Sequence, residues 1–126
     1  RKMKFLIVYN ALKPDADKIS LQSKDILENS GAKSDIIEFN DFIKFENLEA
    51  LLNDVKAVVV IGGDGTIIKT AKLVAMFDLA VLSINAGRIG YLAAIENTHL
   101  ELLKLLADQT RLEILKFIYI CKRKLA

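Results

Sequence analysis

An acidic residue inside a glycine loop is the first feature that could do chemistry. In VVVIGGDGTIIKTAKLVAMF, apolar β-forming residues run directly into GGDGT at residues 62–66, and a helical pattern follows at once. Glycines let the backbone approach phosphate oxygens closely, and a helix N-terminus favours negative charge. Gly62, Gly63 and Gly65 therefore predict a phosphate cradle, and Thr66 suits the N-cap of the helix that follows.

The carboxylate of Asp64 needs a role in such a cradle, because it would otherwise repel a phosphate. It could hold Mg²⁺ that bridges phosphates, accept a proton from a substrate hydroxyl that attacks a phosphoryl group, or hydrogen-bond a ribose hydroxyl. A tight turn is the structural alternative, since Asp-Gly is common in turns. A hairpin is disfavoured because the next segment has helical period. The residues alone leave the three chemical roles open.

A second glycine loop follows a later apolar run, in VLSINAGRIGYLAAI. Asn85, Gly87, Gly90 and Tyr91 come after a strand predicted at 80–84. The amide of Asn85 can donate and accept hydrogen bonds, and Tyr91 can stack on a base or pack in the core. Two such loops at successive strand ends can line one crevice.

The elements that position these loops alternate along the chain. Apolar runs and turn residues predict strands at 4–10, 34–39, 57–61 and 80–84, and helices at 14–29, 47–53 and 66–77, with Gly31 as a helix stop. Alternating strands and helices with short links predict an α/β fold with a three-layer, doubly wound, mostly parallel sheet. The tail at 112–121 also predicts a strand, either an extra edge strand or the start of a second domain.

Composition narrows the class of protein. The 126 residues are 52% hydrophobic with one proline, which argues against disorder. The net charge of +2 is too small to suggest nucleic-acid binding, and no apolar run is long enough to cross a bilayer. A single cysteine fits a reducing compartment, so we expect a cytoplasmic protein with no nucleic-acid or membrane partner.

Together, GGDGT at 62–66 and NAGRIGYL at 85–92 resemble the NAD kinase family, also called ATP-NAD kinases. The family's second motif usually runs Asn-x-Gly-x-x-Gly-Phe-Leu, so Tyr91 is a conservative departure. Lipid kinases and phosphofructokinases carry loops similar to the first motif, and the pair is much more specific. The order of strands and helices also looks like the N-terminal domain of the family, which is related to that of phosphofructokinases.

The resemblance implies transfer of the γ-phosphoryl of ATP, or of a phosphoryl group of polyphosphate, to the 2′-hydroxyl of the adenosine ribose of NAD. The product would be NADP, and Asp64 would be the base for that hydroxyl. Mg²⁺ would accompany the ATP without a dedicated protein cage. Family enzymes are commonly dimers or tetramers, so a homo-oligomer is expected of the full-length protein.

The resemblance also assigns binding residues by position. Gly65 would contact the dinucleotide, and Ile68, Ile89 and Tyr91 would match apolar and aromatic positions beside the adenine. Lys69 stands where some members place a basic residue near bound phosphate, and its alternative is a solvated helix face.

Family members continue into a C-terminal β-rich domain with an Asn-Glu pair and a Gly/Thr-Pro-Thr-Gly-Ser segment that hold NAD. Neither motif occurs in this chain. We therefore expect an N-terminal fragment, with an α/β nucleotide-binding domain at 1–110 and the first strand of the β domain at 111–126. Such a fragment should be weakly active or inactive, because positioning supplies most of phosphoryl-transfer catalysis.

Four alternatives have less support. A lipid kinase of the diacylglycerol or sphingosine type should carry a later Gly-Thr-x-Asn segment, which is missing. Phosphofructokinases and Rossmann dehydrogenases have glycine-rich loops after the first strand, where this chain has NALKPDAD. A nucleotide-binding or assembly module without chemistry also fits an incomplete site.

Overall fold

Four parallel strands form the centre of the fold. The computed structural model describes residues 3–77 and 79–85. The elements are β1 (Lys4–Tyr9), α1 (Ala16–Asn29), β2 (Lys33–Glu38), α2 (Phe39–Ile43), α3 (Leu48–Leu51), β3 (Val55–Gly62), α4 (Asp64–Ala75) and β4 (Ala80–Asn85).

The strand order β2-β1-β3-β4 places a topological switch point between β1 and β3. All three strand pairs are parallel. The chain moves outward from β1 to β2 on one side and from β3 to β4 on the other. The connections that follow β1 and β3 therefore leave toward opposite faces, and ligands of open α/β sheets bind in the crevice between two such connections.

Two apolar clusters cover the two faces of the sheet. Phe5 and Ile7 of β1 pack with Ile19 and Leu27 of α1 on one face. Alternate residues of the strands pack with α2, α3 and α4 on the other face. Residues 57–61 of β3 are at most 1% exposed, as expected for a strand that is covered on both sides. The predicted three-layer α/β sheet is confirmed for the described residues.

The end of α1 confirms Gly31 as the predicted stop. Gly31 has φ +96°, a left-handed conformation that glycine adopts without steric cost. Its N–H donates to the carbonyl of Glu28, and the N–H of Ala32 donates to the carbonyl of Leu27, both at 3.0 Å. Ala32 and Leu27 lie in the same apolar cluster. These bonds form a Schellman motif, which satisfies the last carbonyls of the helix.

Several predicted boundaries were wrong by one or two residues. Helix α1 begins at Ala16 rather than at 14, because Asp15 takes a left-handed conformation with φ 62°. Helix α2 was not predicted, and it includes Phe39, which the sequence pattern had placed in the second strand. The carboxylate of Glu38 accepts from the N–H of Asn40 at 2.6 Å, which caps α2 and ends the strand.

Candidate functional site

The glycine loop joins β3 to α4 in fewer residues than expected. Strand β3 ends at Gly62, and Gly63 is the N-cap of a helix that begins at Asp64. The N–H of Ile67 donates to the carbonyl of Gly63 at 3.0 Å, which is the first bond of the helix. Thr66 is therefore the third residue of α4, and its prediction as N-cap is wrong. The extended backbone of Gly63 already starts the helix, so no side chain is needed there.

Thr66 ties this helix start to the loop that follows β1. Thr66 is only 5% exposed, and its hydroxyl accepts a hydrogen bond of 2.9 Å from the amide Nδ2 of Asn10. The backbone N–H of Asn10 donates to the carbonyl of Ile61 at 2.9 Å. Asn10 thus holds the ends of β1 and β3 together at the switch point. A contact between Thr66 and a bound cofactor stays a prediction.

Gly62 has no room for a side chain. A Cβ built there would lie 2.8 Å from both Cβ and Cγ2 of Thr66. Thr66 cannot move away easily, because Asn10 bonds its hydroxyl. Glycine at position 62 therefore allows the first turn of α4 to fold back tightly against the end of β3.

Gly65 differs from Gly62, because the described residues place nothing within 4 Å of a Cβ built there. Its φ is not in the left-handed range either. Glycine weakens a helix by about 1 kcal/mol relative to alanine. Neither the backbone nor the described neighbours require glycine at this position, and its effect is to leave the surface above the first turn of α4 open.

Four of the predicted site residues share the exposed side of α4. Asp64 and Ile68 are one turn apart, and so are Gly65 and Lys69. All four are exposed, and Ile68 presents an apolar side chain that is 55% exposed. The opposite side of the helix is formed by Thr66, Thr70 and Val74, which are buried.

The second loop begins directly beside the first. Gly62 and Asn85 are partners in the register between β3 and β4. The strands that precede the two loops therefore end at adjacent positions, and a crevice lined by both loops stays a prediction. Gly87, Ile89, Gly90 and Tyr91 lie outside the described residues, so their roles stay predictions, as does the strand at 112–121.

The β1–α1 loop contributes a residue that the sequence reasoning missed. Lys13 passes over Gly63, since a Cβ built on Gly63 would lie 2.8 Å from its Cε and 3.1 Å from its Nζ. Fifty positions separate the two residues, so no local pattern reveals the contact. The available signal was the topology, because the loop after the first strand faces the loop after the third when these strands are neighbours.

Glu38 holds this same loop in place. Its carboxylate accepts from the N–H of Ala11 at 2.9 Å and from the N–H of Asn40. Burial by itself raises the pKa of Glu38, but the hydrogen bonds from Ala11 and Asn40 favour the carboxylate, and the resulting pKa lies below its ordinary value. The ionised side chain therefore links the end of β2 to the β1–α1 loop.

The glycine loop offers the carboxylate of Asp64 to a metal ion, and the Mg²⁺ expected with the phosphoryl donor stays a prediction. Within residues 3–77 and 79–85, no group of three or more His, Cys, Asp or Glu side chains is placed to hold a metal ion. Mg²⁺ commonly keeps several waters and binds substrate phosphates with one or two carboxylates, and Asp64 is the acidic side chain of the glycine loop.

In the part of the chain that the structure describes, no helix is both long and apolar enough to span a membrane.

The chain matches NAD kinases in sequence. A family model described as the ATP-NAD kinase N-terminal domain matches residues 17–110. An NAD kinase of Flavobacterium johnsoniae is 38% identical over 63 residues, which cover 50% of this chain and 21% of the relative. An NAD kinase of Clostridium botulinum is 45% identical over 58 residues, which cover 46% and 20%. An NAD kinase of Lachnoclostridium phytofermentans is 31% identical over 94 residues, which cover 74% and 33%.

Solved structures share the architecture alone. A diflavin flavoprotein A3 from Nostoc sp. matches with a TM-score of 0.54 and 10% identity, over 100% of this chain and 99% of that one. A flavodoxin from the domain Archaea matches with a TM-score of 0.50 and 13% identity, over 85% and 100%. The strand order observed here is the first part of the flavodoxin-like order.

These sequence matches place the chain in a known family. The family model covers most of the chain and includes the glycine loop at 62–66. The chain spans between a fifth and a third of the length of the curated relatives it matches. The chain belongs to the NAD kinase family and matches that family's N-terminal domain.

Proposed function

We propose that the chain is the N-terminal part of an NAD kinase. The reaction transfers the γ-phosphoryl of ATP, or a terminal phosphoryl of polyphosphate, to the 2′-hydroxyl of the adenosine ribose of NAD. Family membership supports this acceptor over a lipid. The observation that carries the proposal is the place of Asp64, an exposed carboxylate at the first position of α4, between two glycines at the switch point.

Asp64 acts as the general base in this proposal. Its carboxylate accepts the proton of the 2′-hydroxyl as the hydroxyl oxygen forms a bond to the γ-phosphorus. The bond between that phosphorus and the bridging oxygen breaks, and ADP leaves with the electron pair. Mg²⁺ bound to the donor phosphates neutralises part of their charge. Asp64 lies in the first turn of the helix, and the open space at Gly65 beside it lets hydroxyl and phosphate approach the same carboxylate.

The exposed side of α4 binds NAD in this proposal. Gly65 leaves room for the dinucleotide, Ile68 packs on the adenine, and Lys69 contacts a phosphate. Asn85 begins the second loop beside Gly62. From that loop, Ile89 and Tyr91 are proposed to lie beside the adenine, and Gly87 and Gly90 to contact the cofactor.

The remaining parts of the proposal concern the whole protein. The matched relatives are three to five times longer than the matched segments, which supports a C-terminal continuation that supplies further NAD contacts. We place that continuation after residue 110 and expect the complete enzyme to be a cytoplasmic homo-oligomer. The isolated chain is then weakly active or inactive, because its NAD site is incomplete.

A direct assay tests the proposal. The complete protein that carries this chain is incubated with NAD, Mg²⁺ and either ATP or polyphosphate, and NADP is measured with an NADP-specific dehydrogenase. We expect NADP to form with at least one donor. Isothermal titration with NAD and with ATP provides the second measurement. Binding of both ligands with no NADP from either donor would contradict the kinase and favour a nucleotide-binding module.

A further inference from the structure

We propose that Lys13 binds a phosphate group of a substrate beside Gly63, in the site of the proposed kinase reaction, on which this inference rests. The β1–α1 loop has no glycine and resembles no phosphate-binding motif. The structure nevertheless places its lysine over the glycine loop, with Cε at 2.8 Å and Nζ at 3.1 Å from the position of a Cβ on Gly63.

Several hydrogen bonds fix the backbone of the β1–α1 loop, so that the Cα of Lys13 has a defined position. The side chain of Asn10 bonds Thr66 and accepts from the N–H of Leu12 at 3.0 Å. The N–H of Lys13 donates to the carbonyl of Asn10 at 3.0 Å. The carboxylate of Glu38 holds the N–H of Ala11. These bonds limit the entropy that Lys13 would lose on binding a phosphate.

The conformation of Gly63 does not by itself account for a glycine at this position. Gly63 has φ −89° and ψ −177°, which any residue can adopt. The backbone therefore does not require glycine at this position. A side chain would instead displace Lys13, because it would occupy the space through which the lysine stem passes. The missing Cβ keeps the ammonium close to the backbone of the loop.

The charge of Lys13 is available at the surface of the site. The residue is exposed, and the three ion pairs recorded among the described residues involve Lys4, Lys18 and Lys24 instead. A lysine ammonium is a compact charge that binds phosphate oxygens well. Because it lies near Gly63, which directly precedes Asp64 in the chain, it would offset part of the repulsion between that carboxylate and an incoming phosphate.

Steady-state kinetics of the complete protein test the inference. Lys13→Ala should lower kcat/KM by about ten- to hundredfold, which is the range for losing one charge-assisted hydrogen bond. This loss should appear as a higher KM for one substrate, either the phosphoryl donor or NAD. The substrate whose KM rises is the one whose phosphate Lys13 binds. Lys13→Arg should recover most of the loss. Lys56→Ala is the matched control, because Lys56 is exposed near the opposite end of β3 and carries the same charge.

Gly63→Ala and a double-mutant cycle provide a second test. Gly63→Ala should raise the same KM by displacing Lys13, and its effect should be much smaller in the Lys13→Ala background. Thermal unfolding of each variant shows that the fold persists. An unchanged KM for both substrates in Lys13→Ala, with NADP formation intact, would overturn the inference while leaving the kinase reaction in place.

A binding measurement covers the case in which no NADP forms. Tripolyphosphate is titrated into the wild type, Lys13→Ala and Lys56→Ala. Affinity that is about tenfold weaker only in Lys13→Ala supports the phosphate contact even if the proposed reaction fails. Equal affinity in all three proteins, or no binding to any, would overturn the contact.

Discussion

The amide of Asn10 donates a hydrogen bond of 2.9 Å to the hydroxyl of Thr66, across fifty-six positions of the chain. This bond joins the loop after β1 to the first turn of α4 at the point where the strand order reverses. The threonine of the glycine motif therefore has a role in holding the site together. Thr66 and Asp64 lie on opposite sides of the first turn of α4. The hydrogen bond from Asn10 to Thr66 therefore also helps to fix the position of Asp64.

Removing the Asn10 amide should weaken the fold. We expect Asn10→Ala to lower the free energy of unfolding by about 1–2 kcal/mol, because the bond is partly buried. Combining it with Thr66→Val should cost less than the sum of the two single changes. Asn53→Ala, at an exposed position after α3, is the control. Urea unfolding is measured for the wild type and the four variants, and strict additivity of the two single changes would contradict the coupling.

Gly62→Ala should be destabilising because its Cβ would lie 2.8 Å from Thr66. A strained contact of this kind costs about 1–3 kcal/mol. Adding Thr66→Ser, which removes the methyl group that the new Cβ would touch, should recover part of the loss. A melting temperature for Gly62→Ala equal to that of the wild type would show that the helix start can shift without cost.

Gly65→Ala should separate stability from binding. The first turn of α4 has open space at this position among the described residues, and alanine favours a helix over glycine by about 1 kcal/mol. We therefore expect an equal or higher melting temperature together with weaker NAD binding in the complete protein. Isothermal titration with NAD measures the second effect. Unchanged NAD affinity would remove Gly65 from the proposed site.

Substitution of Thr70 tests how the buried side of α4 contributes to stability. It is fully buried, and within the part of the chain that the structure describes its hydroxyl has no hydrogen-bond partner. Thr70→Val removes this hydroxyl at nearly constant volume, so the free energy of unfolding should stay equal or rise by up to about 1 kcal/mol. Thr66→Val, one turn earlier, should lower it. The opposite order of the two variants would contradict the assigned partners.

Glu38 should make stability depend on pH. Its pKa is lower in the folded protein, so its contribution is present above the ordinary carboxyl pKa and is lost as the pH falls through the folded value. Glu38→Gln should therefore be less stable than the wild type at pH 7, and the difference should shrink as the pH falls below about 4. Glu46→Gln, at an exposed position, is the control. A difference that stays constant from pH 7 to pH 3 would contradict this link.

Much of the fold could be predicted from the sequence. The apolar run of β3 is long enough to indicate a strand that is covered on both sides, and Gly31 marks the end of α1 because its positive φ suits glycine. Helix α2 was missed because its five residues are too few to show helical period. Its cap is the carboxylate of Glu38, which is not among the usual N-cap residues.

The candidate site could be predicted only in part. The glycine loop was found because its residues are adjacent in sequence. Asn10 and Lys13 were missed because they contact Thr66 and Gly63, more than forty positions away in the chain. Glu38 was missed because it bonds the backbone of Ala11 in the β1–α1 loop, which is also distant in sequence. Thr66 was placed at the helix N-cap because its hydroxyl suits that role, but Gly63 begins the helix and frees Thr66 to bond Asn10.

The central claim is that Asp64 takes the proton from the 2′-hydroxyl of NAD. Its most direct test is kcat for NADP formation by the complete protein with Asp64→Asn, beside the control Asp25→Asn on the exposed face of α1. The account predicts a loss in kcat of at least about a hundredfold for Asp64→Asn, in a protein that thermal unfolding shows to be folded, with normal activity in the control. A variant Asp64→Asn that forms NADP at the wild-type rate would contradict it.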